Sequence, residues 1–230
     1  MAKLDSLPDY RDSETTKTIQ TTTTMMTNTD LEIEVKFHLA APEETRSRIE
    51  SLGAEFTGKS FEQNIRFEDA DASLIRKNAL LRLRRTDSRA ELTYKGEAHE
   101  ENRDFKAHRE LEVTVSDFDT AAAILEALGY HNAQVYEKQR ETYAYGNTVL
   151  CMDRMPFGFF LEIEGQPDAI RQTAQELGLD WDQRILANYL AIFDRLKSEC
   201  ALTFNDVTFD HFAGVNLDFA RFVHLFSAGG

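Results

Sequence analysis

The 230-residue sequence predicts an α+β fold, an eight-stranded antiparallel sheet with helices packed on its outer side. Three observations predict it. Charged and apolar residues alternate strictly in short runs, clearest in Glu32-Ile33-Glu34-Val35-Lys36-Phe37, so one face of such a strand is apolar and the other charged. Two pairs of runs are joined by hairpin-length connections, Asp87-Ser88-Arg89 and Gly146-Asn147. Helical patterns bounded by proline, aspartate and glycine stand between other runs.

In chain order, residues 1–28 are polar and threonine-rich, with Thr21 to Thr24 in a row, and lack the apolar surface needed to offset the entropy of ordering. They read as a disordered leader; Asp5, Asp9, Asp12 and Glu14 are the wrong composition for a transit peptide. The strand at 31–39 is followed by a helix at 42–52, opened by Pro42-Glu43-Glu44 and stopped by Gly53. Strands follow at 62–68, 79–86 and 90–96, then a charged irregular stretch at 97–107 suited to a mobile loop over a cavity mouth. After a strand at 108–115, Asp117 opens and Gly129 closes a helix at 118–128. Strands at 134–145, 148–154 and 159–164 complete the set, and a helix runs from Pro167 or Asp168 to Gly178. A fourth helix begins near Asp182 and carries Ile185, Leu186, Tyr189, Leu190 and Phe193 as a core-facing stripe. The expected organisation is leader 1–28, one domain over 29–198 and an extension over 199–230. In that extension Phe219, Phe222, Val223 and Phe226 fit one helical face, which packs on the domain or serves as a homodimer or partner contact.

Composition narrows the function. A formal net charge of −14 argues against a nucleic-acid-binding surface, though not against a small basic cavity. Cys151 and Cys200 make no disulfide framework and no Cys-x-x-Cys motif, which suits a reducing compartment; with no apolar run of membrane-spanning length, a cytoplasmic, membrane-free protein is the expectation.

For one strand, the simplest reading of alternation is a charged face in water. The strands together place like charges two residues apart again and again: Glu32 and Glu34, Arg82 and Arg84, Glu110 and Glu112, Lys138 and Arg140, Glu162 and Glu164. With Lys36, Lys95 and Asp153 they make matched sets of acids and bases, and eight strands suffice to close a sheet around them.

This ordered set, from about Leu31 to Lys197, resembles the CYTH superfamily, the triphosphate tunnel metalloenzymes that include class IV adenylyl cyclases and thiamine triphosphatases. The resemblance implies closure into an eight-stranded antiparallel β-barrel with a charged interior. It implies that Lys36, Arg82, Arg84, Lys95, Lys138 and Arg140 cradle a triphosphate, arginines as bidentate forks and lysines as point charges. Carboxylates beside a polyphosphate repel it unless a hard divalent cation lies between, so Mg²⁺ or Mn²⁺ is the implied cofactor. Glu32, Glu34, Glu162 and Glu164 are its implied ligands, and Glu110, Glu112 and Asp153 hold a second metal or orient an attacking water.

The expected activity is metal-dependent hydrolysis of tripolyphosphate, a nucleoside triphosphate or thiamine triphosphate. The alternatives are a class IV adenylyl cyclase and a noncatalytic polyphosphate-binding module. Asn64-Ile65-Arg66-Phe67 departs from the aspartate and Tyr-Phe pair of the cyclase branch, which tilts the reading toward hydrolysis. Gly53 to Ser60 matches G-x-x-x-x-G-K-[ST], but a phosphate loop leaves a strand and opens a helix, whereas here a helix precedes and a strand follows. The six histidines show no metal-ligand spacing.

Overall fold

A computed structural model describes residues 31–97 and 104–229. Eight antiparallel strands close into a barrel: β1 (Leu31–His38), β2 (Glu55–Asp69), β3 (Leu80–Arg85), β4 (Ala90–Glu97), β5 (Lys106–Val115), β6 (Tyr130–Tyr145), β7 (Thr148–Met155) and β8 (Gly158–Gly165). The order around the barrel is β1-β5-β4-β3-β2-β6-β7-β8, so closure is made where β8 meets β1. The helices are α1 (Pro42–Ser51), α2 (Ser73–Arg76), α3 (Phe118–Ala127), α4 (Pro167–Glu176) and α5 (Tyr189–Glu199).

Alternation explains why the helices lie outside. Val35, Phe37, Leu150, Leu161 and Ile163 leave the barrel on its outer face and are buried with Ile49 of α1 and Ile170, Ala174 and Leu177. On the other side Phe67 and Leu83 pack with Leu125 of α3. Helix boundaries follow local chemistry: Pro42 and Pro167 begin α1 and α4, and the Asp117 carboxylate accepts the Thr120 N–H at 2.6 Å to cap α3. Gly53, after α1, takes φ +80°, a left-handed turn that a residue with a Cβ would strain.

A third cluster caps one end. Phe160, on the inner face with Glu162 and Glu164, is fully buried against Phe219 (centroids 5.0 Å apart), Tyr189 (5.3 Å) and Phe157 (5.7 Å). Residues after α5 join this plug through backbone pairing: the Val207 N–H donates to Val135 O (2.8 Å) and the Glu137 N–H to Val207 O (2.9 Å).

Several boundaries differ from expectation. β2 starts at Glu55, so Lys59 lies within a strand, 61% exposed and 2.9 Å from Glu141; the phosphate-loop match is a coincidence of spelling. The fourth expected helix begins at Tyr189 instead. Trp181–Gln183 is a 3-10 turn, and Ile185 makes a bridge to Lys36 through Ile185 N–H to Lys36 O (2.7 Å) and Lys36 N–H to Ile185 O (3.2 Å). α2 was not expected; the Glu68 carboxylate accepts the N–H groups of Leu74 and Ile75, both at 3.0 Å, and holds that turn. Phe219–Arg221 and Val223–Leu225 are 3-10 turns, not one helical face. The leader and residues 98–103 of the expected mouth loop lie outside the described residues. Among those described, no helix is long and apolar enough to cross a membrane.

Candidate active site

The barrel encloses a cavity of about 440 Å³, lined from every strand except β7 and from α5. Strand parity places Glu32, Glu34 and Lys36 of β1 inward, with Arg82 and Arg84 of β3, Lys95 of β4, Glu110 and Glu112 of β5, Lys138 and Arg140 of β6, and Glu162 and Glu164 of β8. Twelve of the thirteen residues singled out above therefore share one cavity. The exception is Asp153.

Cross-strand register sorts the carboxylates. Glu34 stands opposite Glu164 and Lys36 opposite Glu162 across the closure. Glu162 therefore binds Lys36 and Arg140, with its carboxyl well below the usual range because these cations outweigh the upward push of burial. Glu164, opposite another acid, is pushed up to about 7, by burial first and then by Glu162, Glu34 and Glu32, against the pull of Arg140. Oxygens of Glu32, Glu34 and Glu164 lie within 4.8 Å of one another. Three hard oxygen donors converging this way fit a divalent cation. Glu162 is not among them; its oxygens are committed to cations.

Each member of this trio is also tied to a base. Glu32 pairs with Lys95, which reaches Glu110 at 3.1 Å, and Glu34 pairs with Lys106 and lies 3.8 Å from Lys36. Burial would raise the Glu34 carboxyl, yet Lys106 and Lys36 hold it down at about 2. Lys36, 1% exposed, is lifted to about 12: burial works against its charge, but Glu162 and Glu34 prevail.

The remaining cations have their own partners. Arg84 Nε lies 3.2 Å from Glu62 and donates to Asn64 at 3.0 Å. Arg82 donates to Thr93 (3.1 Å) and lies 3.6 Å from Glu112 and 3.7 Å from Glu110; Thr93 in turn donates to Glu112 at 2.8 Å. Burial raises the Glu110 carboxyl above its ordinary value, against the pull of Lys95.

Asp153, 1% exposed, lies behind the lining. It accepts from Lys138 (3.1 Å), twice from Arg140 (2.7 and 2.6 Å) and from the Tyr189 hydroxyl (2.9 Å). It thereby orients Lys138 and Arg140, and it is not among the residues lining the cavity, as the expected metal or water-orienting role would need.

Sequence reading missed several inward residues. Glu62, Asn64 and Arg66 share parity on β2, and Lys106 and His108 extend the parity of Glu110 four and two residues earlier, Lys106 lying before the expected strand start at 108. Tyr189 was visible only as part of an apolar stripe; it lies beneath Lys36, 4.4 Å from ring centroid to Nζ.

The CYTH domain model matches residues 30–185 of this chain. The chain belongs to the CYTH family. It is 27% identical over 173 residues to a Methanocaldococcus jannaschii protein named as a putative adenylate cyclase, covering 70% of this chain and 98% of that one. The PH1012 protein of Pyrococcus horikoshii is 29% identical, with a TM-score of 0.60 over 69% of this chain and 96% of that one. A Hippeastrum protein, described as a putative adenylyl cyclase with a dominant triphosphatase activity, shares the fold at 18% identity and a TM-score of 0.55, over 71% of this chain and 95% of that one. Residues 186–229, which carry α5 and the plug, follow the matched segment.

Proposed function

We propose that this CYTH protein is a metal-dependent triphosphatase that hydrolyses an inorganic or organic triphosphate inside the barrel. One observation carries the reading: a single cavity joins a three-carboxylate cluster that fits a divalent cation to lysines and arginines on the facing strands. Such a wall repels a polyanion on one side and attracts it on the other, and a metal reconciles the two. Mg²⁺ or Mn²⁺, held by Glu32, Glu34 and Glu164, would supply charge neutralisation at phosphate oxygens and a lowered pKa for bound water. Arg82, Arg84 and Arg140 orient phosphate oxygens, with Lys36, Lys95 and Lys138 as point charges. Glu112, half exposed and anchored by Thr93, is placed to orient a water, with Glu110 beside it. Phe160 and its aromatic neighbours keep solvent from one end.

Adenylyl cyclase is the second reading, favoured by the name of the Methanocaldococcus relative. The same cradle would hold ATP, with the ribose 3′ oxygen replacing water. The test is the purified protein with tripolyphosphate, ATP or thiamine triphosphate and Mg²⁺ or Mn²⁺, assaying phosphate, pyrophosphate and cyclic AMP separately. Phosphate release that stops in chelator supports hydrolysis. Cyclic AMP with pyrophosphate supports the second reading, and binding without any product leaves a polyphosphate-binding module.

A further inference from the structure

We propose that Arg66 is a further substrate-binding residue, taking phosphate oxygens on the wall opposite the carboxylate cluster. The inference rests on the reading of the cavity as a triphosphate site. β2 is four steps from β1 in either direction around the barrel, so Arg66 and the acids of β1 occupy opposite walls of one cavity.

Its lack of a partner sets it apart. Every other lysine or arginine lining the cavity has a carboxylate oxygen within 3.6 Å. Among the described residues, Arg66 has no ion pair, and its Nε is buried without an acceptor. Its cross-strand neighbour on β3 is Arg82, whose Nε is buried and unsatisfied as well. Like charges directly opposite each other on a sheet repel, and buried donors without acceptors destabilise a fold. Two cross-strand arginines, each with an unsatisfied buried Nε, call for a multidentate oxyanion, which a phosphate chain supplies.

The backbone adds a second observation. Pairing of β2 with β6 slips next to this residue: Arg66 stands opposite Gln134, but Phe67 stands opposite Asn132, leaving Ala133 bulged. Bulges of this kind re-aim side chains beside functional sites.

The test compares wild type with Arg66→Gln and Arg66→Lys, titrating tripolyphosphate in Mg²⁺ by calorimetry and recording melting curves without ligand. Arg66→Gln is expected to weaken binding by about tenfold, the scale of one charged hydrogen bond. Its ligand-free melting temperature should hold or rise, since a partly buried charge with an unsatisfied Nε is removed. Arg66→Lys should fall between the two in affinity. Affinity within twofold of wild type for Arg66→Gln would overturn the assignment, as would an affinity loss matched by a fall in ligand-free melting temperature. Wild type that binds no triphosphate would instead overturn the functional reading beneath it.

Discussion

At the scale of the residue, two carboxylates of the barrel differ in burial and in the groups that reach them. Asp153 answers Lys138, Arg140 and Tyr189, whereas Glu112 accepts from Thr93 and has its side chain 37% exposed. Asp153→Ala should cost about 3–5 kcal/mol in urea unfolding, because it removes a buried carboxylate shared by two buried cations. Glu112→Gln should change stability by about 1 kcal/mol or less while lowering kcat/KM. Equal stability losses in the two variants would contradict the division of roles. Lys59→Ala provides the contrast: its exposed ammonium pairs with Glu141, which keeps Arg46 at 3.0 Å, so stability should stay within about 0.5 kcal/mol and turnover should be unchanged.

Among the elements, the segment after α5 is the one whose shape local pattern misjudges. Phe219, Phe222, Val223 and Phe226 have helical spacing, yet the chain there forms two 3-10 turns, because the positions to be filled are set by Phe157, Phe160 and His38 at the barrel end. Phe219 is 2% exposed, and its ring stacks on Phe226 at 5.6 Å. Phe219→Ala should therefore destabilise the whole barrel by about 3–5 kcal/mol, lowering the midpoint of a single cooperative transition. A separate early transition would show that the segment melts without the barrel.

For the molecule as a whole, the buried charges couple stability to pH. Burial would raise Glu62, but Lys138, Arg84 and Arg140 hold it at about 2, below its ordinary 4.5. A carboxyl depressed in the fold contributes stability that is full above about 4.5 and is lost as pH falls through about 2. Glu62→Gln should then cost about 3 kcal/mol near neutrality by removing the partner of three cations, with the gap to wild type shrinking steadily below pH ~4.5. A gap that stays constant from pH 7 to pH 3, followed by denaturant unfolding, would show that Glu62 contributes by shape instead of charge.

The sequence by itself determined that paired like charges share one face of β1, β3, β5, β6 and β8, because side-chain direction in a strand is a local property with period two. The same parity implies that Arg66, Lys106 and His108 face inward with their strand-mates, once strand limits are known. Tertiary structure decided what each charge does. Glu162 and Glu164 are chemically alike and two residues apart, but closure register sets one against Lys36 and the other against Glu34, so one becomes a counter-ion and the other joins a three-carboxylate cluster that could hold a cation. Likewise Asp153 has inward parity yet is covered by Tyr189 from an element 36 residues away. Which groups meet across a barrel depends on register and on what fills its end, and these are properties of contacts distant in sequence.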